Sequence, residues 1–330
     1  MTGRRRFAAA VVVLLVAACT PGSMSASHVT SAASIDPLSN VASFHGCPVF
    51  TQGDYYNAPV TSAAVDPDSD AYIKALWSSG DTAGFYASTG VEQVNLATNL
   101  TPLLSVKPQV TFHPFAVRYP WADGFFIEPL SDHHAMVVQT QLCQLYEMYG
   151  ATYSGTTLSA YSGAEWDLRT RFAPLPPGSP SAMASGLSLF AGTVRFEDYR
   201  AGSIDHALNW APPAHTVAQY QFVAPASDTD QLPFKGGSDV LALPYGAHLR
   251  LKASFSTAGW GPQAQMVAHA MKTYGIFLAD TGSARNALYF ANASDGTNPW
   301  NASDLAVLTQ VHVTDFEVLT LPHIQVVPRT

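Results

Sequence analysis

The sequence predicts a mainly β fold: a two-sheet sandwich or a jelly-roll-like arrangement with a few peripheral helices. Its apolar runs are short and punctuated by turn formers, with 23 Gly and 23 Pro in 330 residues. Regular alternation of strand and long helix is absent, which argues against a doubly wound sheet. The clearest helical spacings fall at edges or connections, as in jelly rolls and sandwiches.

The elements follow in order. Arg4, Arg5 and Arg6 precede an apolar run from Phe7 to Ala18, too short to span a bilayer and typical of an export signal. Ala17 and Ala18 directly before Cys19 resemble the lipobox of bacterial lipoproteins, in which the cysteine is acylated and heads the mature chain. An ordinary secretory signal is the alternative. The expected division is therefore a signal over 1–18, a Ser/Ala/Thr/Pro-rich tether over 19–45 and one β-rich domain over 46–330. The implied address is export, with lipid anchorage through Cys19 to a bacterial membrane, at its periplasmic face or the cell surface.

Within the domain, Asp70 to Trp77 carries apolar residues at helical spacing behind an acidic first turn, and predicts a short helix. Ala135–Val138 and Leu142–Tyr149 read as paired strands joined by a polar turn. The stretch from Phe172 to Gly186, with Pro176-Pro177-Gly178, reads as a long loop. Further strands are expected over Gly192–Phe196, Ile204–Trp210, His215–Ala224, Leu249–Phe255 and Ile276–Ala279. The segment from Ala224 to Gly246 reads as a surface excursion. Pro262 to Tyr274 is the best helix, with proline at its start and Gly275 after its end. A last helix capped by Asn301 or Ser303 and a closing strand from Asp315 to Leu321 complete the chain.

Charged residues make up 12% of the sequence and hydrophobic ones 47%; the charged share is about half that of an average globular domain. Loss of residues 1–18 removes three arginines and no acid, taking the formal net charge from −8 to −11. No basic run remains to neutralise a phosphate backbone, so nucleic acid is excluded as a partner. The expected partners are the membrane, through Cys19, and a carbohydrate ligand. With Cys19 committed to lipid, Cys47 and Cys143 are expected to form a disulfide in an oxidising compartment, two buried free thiols being the alternative. A loop of that length contributes roughly 4 kcal/mol by chain entropy.

Few ionisable residues stand in apolar surroundings, where an unpaired charge is costly, so those that do are candidates for chemistry. Asp132-His133-His134 leads into an apolar strand, and Asp205-His206 and Asp280-Thr281-Gly282 are similarly embedded. A single Asp-Thr-Gly without a second copy argues against an aspartic protease. Glu147 and the alternation Glu165-Trp166-Asp167 add carboxylates on strands, and two carboxylates on adjacent strands supply the acid and base of glycosidic cleavage. The expected catalytic set is Asp132, His134, Asp205 and His206, with Glu147, Asp167 or Asp280 as the second carboxylate. Arg195 and Lys252 would orient the substrate, with Trp166 and Trp210 as stacking surfaces. Zinc-protease, paired-cysteine and phosphate-loop motifs are absent. No cofactor is predicted. A divalent metal on His133, His134 and Asp205 or His206 would require their strands to adjoin.

Cys47-Pro-Val-Phe50, Asp132-x-His134, Cys143-x-Leu-Tyr-Glu147, Ile204-Asp-His-Ala-Leu208, Leu251-Lys-Ala-Ser-Phe255 and Tyr274-Gly-x-x-x-Ala-Asp280 together resemble a group of exported bacterial proteins without an assigned activity. The resemblance implies one integral domain with the Cys47–Cys143 bridge as part of its design. It carries over no reaction, cofactor or substrate. The functional expectation is thus an anchored enzyme that cleaves a polysaccharide or glycan, by hydrolysis or elimination, through carboxylate/His acid–base chemistry. The alternative is a non-catalytic glycan-binding or envelope-interaction lipoprotein of the same fold.

Overall fold

The structure is a computed structural model that describes residues 41–109, 118–236, 241–282 and 285–327. The signal, Cys19 and nearly all of the expected tether lie outside the described residues. Folded structure begins within the span expected to be tether. β1 (Ser43–Phe44) pairs antiparallel with β2 (Cys47–Pro48), and Phe44 is buried in the core.

Helix α1 (Ser69–Ser78) buries Tyr72, Ile73, Ala75 and Leu76, the stripe that helical periodicity requires. Its first residue is tied down by Ser69 Oγ, which accepts from Val318 N at 2.9 Å. There follow β3 (Phe85–Ala97), β4 (Leu103–Pro108), β5 (Arg118–Pro120), β6 (Ala135–Gln139), β7 (Gln144–Tyr149), β8 (Thr152–Tyr153), β9 (Leu158–Ala160) and β10 (Ser162–Asp167). Next come short helices α2 (Leu189–Gly192) and α3 (Phe196–Ala201), then β11 (Leu208–Ala211), β12 (Gln221–Phe222), β13 (His248–Leu251), α4 (Pro262–Thr273), β14 (Ile276–Leu278) and β15 (Asn286–Asn292). The chain closes with α5 (Ala302–Leu305), two 3₁₀ turns, β16 (Phe316–Val318) and β17 (Gln325–Val326).

Among the described residues, nine strands form one mixed sheet in the order β10-β7-β6-β3-β15-β11-β14-β13-β16, and four form a second in the order β5-β4-β9-β8. The molecule is therefore mainly β, with large sheets and few helices, as the sequence predicts. The layering follows from the two-residue period of strands. Met136, Val138 and Leu145 enter the principal core, while Ala135, Val137, Tyr146 and Met148 enter a second core with Val106, Tyr119, Trp121 and Leu158. Strands β6 and β7 are thus covered on both faces, which explains why all five residues of β6 are buried. Glu147 lies on the Leu145 face, directed away from the small sheet.

The predicted hairpin, both long helices and the strands near 208, 249, 276 and 316 are present. α4 begins on a proline, and its first turn donates to Asp304, with Gln263 N to Oδ2 at 2.9 Å. Two expectations need correction. Gly192–Phe196 is not a strand but the end of α2, the start of α3 and the link between them, which pairs with the sheet through a Val194–Phe290 bridge. Of His215–Ala224, only Gln221–Phe222 is strand. The long β3 and its parallel partner β15 escape the sequence reading. Gly90, at φ 83°, sits where the β3–β15 register shifts between Tyr289 and Ala291, and this break interrupts the two-residue pattern.

Cys47 and Cys143 are disulfide-bonded across a separation of 96 residues, joining the first hairpin to the turn before β7. Replacing both by serine is expected to lower the melting temperature by roughly 10 °C, from about 4 kcal/mol of lost constraint on the unfolded chain. Calorimetry of the double variant checks this; an unchanged melting temperature would refute it. Among the described residues, no helix is long and apolar enough to cross a membrane.

Candidate functional site

The strands of the large sheet run so that β7 ends, β6 begins and β14 ends on one side. An open pocket of about 450 Å³ lies there, lined by Asp132, Asp228, Asp230 and Asp280 together with Tyr149, Tyr161 and Thr281. Each wall has a local cause.

Asp132 precedes β6 in a turn, not on the strand. Gly150 N donates to its carbonyl at 2.9 Å, and Ala151 N donates to that of His133 at 2.9 Å. His133 there adopts φ 47°. This fastening leaves the Asp132 side chain exposed at the pocket rim. Tyr149 and Tyr161 form the aromatic wall, with ring centroids 6.1 Å apart. Gly150, at φ 63°, makes this pairing possible, because a Cβ on it would meet Tyr161 Cδ2 at 2.1 Å; only glycine combines that backbone angle with that approach.

Asp280 follows the buried β14. Its Oδ2 accepts from Ala184 N at 3.0 Å and its Oδ1 from Thr281 N at 2.7 Å. Burial pushes its carboxyl up to about 7 despite these two hydrogen bonds. The 181–187 loop is held against it, with Ser185 N donating to Ala279 O at 3.1 Å and Ser227 N to Ser185 O at 2.8 Å. The same loop therefore positions the Ser227–Asp230 segment. Asp230 accepts from Leu232 N at 2.9 Å and from the Thr281 hydroxyl. Asp228 is only 2% exposed, its Oδ1 has no hydrogen-bond partner, and burial pushes its carboxyl up to about 6.

Behind this pocket, His134 Nδ1 lies 3.0 Å from Glu92 Oε1, and both side chains are buried. Burial alone would depress the imidazolium. The Glu92 charge and hydrogen bond outweigh it, with Asp132 and Asp280 adding to the effect, and push His134 up to about 9. The His134 ring also lies 6.0 Å from Tyr149, so it supports the aromatic wall without itself lining the pocket.

The fold and this pocket together define the class: a mainly β protein with an acidic, tyrosine-walled pocket at one end of its large sheet. The chain matches no protein-family model, no curated protein and no solved structure.

Of the predicted site residues, the structure brings Asp132 and Asp280 together in one pocket, with His134 behind them. The others are elsewhere. Glu147 is fully buried and accepts from Ser188 Oγ at 2.7 Å, Leu189 N at 2.9 Å and Phe190 N at 2.8 Å. It caps the start of α2 and cannot reach a substrate. Asp205 is exposed, accepts from Ser203 Oγ at 3.1 Å, and lines a second depression with His45 and Glu197 that shares no residue with the first pocket. His206 does not pair with Asp205. Its Nε2 lies 3.2 Å from buried Asp198 Oδ2 and its Nδ1 2.8 Å from Ala207 O.

Arg195, only 1% exposed, donates through Nη1 to the carbonyls of Phe190, Ala191 and Thr193. It closes the end of α2 and orients no substrate. Asp167 is engaged by Arg169, whose hydrogen bonds hold its carboxyl below the usual range. Lys252 Nζ donates to Thr314 O at 2.9 Å, away from the pocket. Trp166 and Trp210 are core residues whose indole N–H groups donate to Ala173 O and Asn286 Oδ1, so neither offers a stacking face. Among the described residues, no group of three or more His, Cys, Asp and Glu is arranged to hold a metal ion. His133 is exposed, with Nδ1 3.2 Å from Glu128 O, and lines neither of the two pockets described.

Sequence reading missed Glu92, Asp228, Asp230, Tyr149 and Tyr161. The one available signal was Asp228-Thr229-Asp230, an acid–x–acid pair in a segment read as surface excursion but buried over Pro225–Thr229.

Proposed function

We propose that this protein is an exported glycan-cleaving enzyme that works through the carboxylates of the acidic pocket. The observation that carries the reading is the placing of Asp280, whose carboxyl burial pushes up to about 7, in the same open pocket as the solvent-facing Asp132 and the paired tyrosines. A carboxylic acid still protonated near neutral pH is what a general acid in glycoside hydrolysis needs. Asp280 donates its proton to the leaving glycosidic oxygen as the C–O bond breaks. Asp132 takes a proton from the water that adds to the anomeric carbon, and solvent resets both groups. Tyr149 and Tyr161 offer ring faces to the sugar. Anchorage through Cys19 would hold the pocket near envelope or extracellular polysaccharide.

Asp280→Asn is expected to cut reducing-end release from a cleaved oligosaccharide at least 100-fold, with binding of that oligosaccharide kept within a few-fold. The wild-type rate is expected to fall as pH rises past about 7, because the acid form is lost. Unchanged turnover in the variant would overturn the assignment. The non-catalytic reading draws on the two backbone N–H groups that occupy the Asp280 oxygens. It would be favoured by oligosaccharide binding without cleavage across a broad glycan panel.

A further inference from the structure

Resting on the anchorage through Cys19 proposed above, though not on the glycan chemistry, we infer that the sheet end opposite the acidic pocket docks on the phospholipid surface. Leu100 and Leu142 enter the bilayer interface there, and the pocket opens away from the membrane. Strands β10, β7, β6 and β3 are consecutive neighbours. Their register aligns Asp167 with Gln144, Gln144 with Gln139 and Gln139 with Ala97. The connections after β3, β6 and β10 therefore lie at one end. The opposite ends of β6, β7 and β10 carry Asp132, Tyr149 and Ser162 of the pocket. The six residues of β7 put about 20 Å between the two ends.

The leucine-bearing end has two features that suit a membrane. Leu100 is 93% exposed, Leu142 47% and Leu103, the first residue of β4, 44%. Their two turns adjoin, with Thr140 N donating to Ala97 O at 3.2 Å and Gln139 Nε2 to Thr98 O at 3.5 Å. Single exposed leucines are ordinary, whereas three on adjoining connections form a patch that marks an interaction surface. Residues 98–103 and 140–143 include no charged side chain, so insertion would desolvate none. The neighbouring connection 168–172 adds Arg169 and Arg171 and no acid, in a chain of net charge −8. Long arginine side chains beside an inserted apolar tip reach anionic headgroups. Asp167, at the end of β10, is already paired with Arg169.

The entry point of the chain selects a bilayer over other covers. The described residues begin at Val41. Ala42 O accepts from Val49 N at 2.8 Å, Phe50 N donates to Leu168 O at 2.7 Å, and Leu168 N donates to Cys143 O at 2.9 Å. Cys143, next to Leu142, is also bridged to Cys47. The segment from Cys19 thus joins the domain at the leucine-bearing end. That segment can span at most about 75 Å, so the anchor keeps the surface within reach without choosing the face that meets it. Weak insertion of a few leucines is then enough to set the orientation.

The experiment is amide hydrogen exchange on the wild-type protein in vesicles of phosphatidylethanolamine and phosphatidylglycerol, compared with the full-length Cys19→Ser variant in buffer. Exchange over residues 98–103 and 140–143 is expected to slow about ten-fold or more on the vesicles, with residues 149–151 at the pocket end unchanged. Leu100→Asp with Leu142→Asp is expected to abolish that slowing while the protein stays in the membrane fraction. A membrane-bound wild type whose turns exchange as in buffer overturns the docking and leaves the anchor standing. Wild type recovered in the soluble fraction overturns the anchor. The docking then stands if added vesicles slow the same turns, and falls if they do not. Slowing that grows with protein concentration in buffer assigns the patch to a second copy of the chain and overturns the inference.

Discussion

Glu147→Ala is expected to destabilise the protein by about 3–5 kcal/mol. The side chain is fully buried, and three donors converge on it, from the Ser188 hydroxyl and the Leu189 and Phe190 amides. Truncation leaves all three unsatisfied, at about 1–3 kcal/mol each before relaxation. The damage would spread, because the Ser188 carbonyl also accepts from Asn209 Nδ2 at 2.8 Å and Tyr56 Oη at 3.1 Å. Burial pushes Glu147 up to about 7, so the protonated acid is tolerated and Glu147→Gln is expected to be the milder variant. Denaturant melts of both variants check the ranking; equal losses, or a loss under about 1 kcal/mol for Glu147→Ala, would contradict the capping role.

His134→Ala is expected to cost about 3–5 kcal/mol, because it strands Glu92 as an uncompensated buried charge. The double change Glu92→Gln with His134→Gln is expected to cost less than His134→Ala alone, since it buries no charge. The pair also imposes a pH dependence. His134 is raised from 6.5 to about 9, so its contribution is fully present below about pH 6.5 and disappears as pH rises through 9. The raised carboxyls act in the same sense. Asp81, Glu147 and Asp280 near 7 and Asp228 near 6 contribute most below their ordinary values and lose that contribution as they are forced to ionise. Through these groups stability is therefore expected to decline from about pH 4 toward pH 9. Thermal melts across that range read the effect directly. A melting temperature that climbs steadily to pH 9 would sink the account, and His134→Ala should flatten the decline above about pH 7.

The candidate site was legible only in pieces. Asp132, His134 and Asp280 stood out because each sits beside an apolar strand, where an ionisable group needs a reason. The partners were not legible. Asp205-His206 looked like a pair by adjacency, yet consecutive side chains diverge, and His206 turns instead to Asp198 at 3.2 Å. His134 likewise pairs with Glu92, 42 residues away. Arg195, Trp166 and Trp210 looked like ligand contacts because their chemistry suits sugars. The same chemistry suits a buried helix end and two indoles with internal acceptors.

The sequence by itself determined what local periodicity and composition encode. That includes the mainly β class, the β6–β7 hairpin, the helices α1 and α4, and the pairing of the two cysteines of the domain. These depend on residues a few positions apart, or on a count that allows one partner. Only the tertiary structure decided the order of nine strands, the parallel pairing of β3 with β6 and β15, and which carboxylates share a pocket. Asp132, Asp228 and Asp280 meet because distant strand ends stop on one side of the sheet, and a loop at 181–187 is fastened between two of them. Long-range register of this kind is set by which faces bury best together, and no local pattern of residues records that choice.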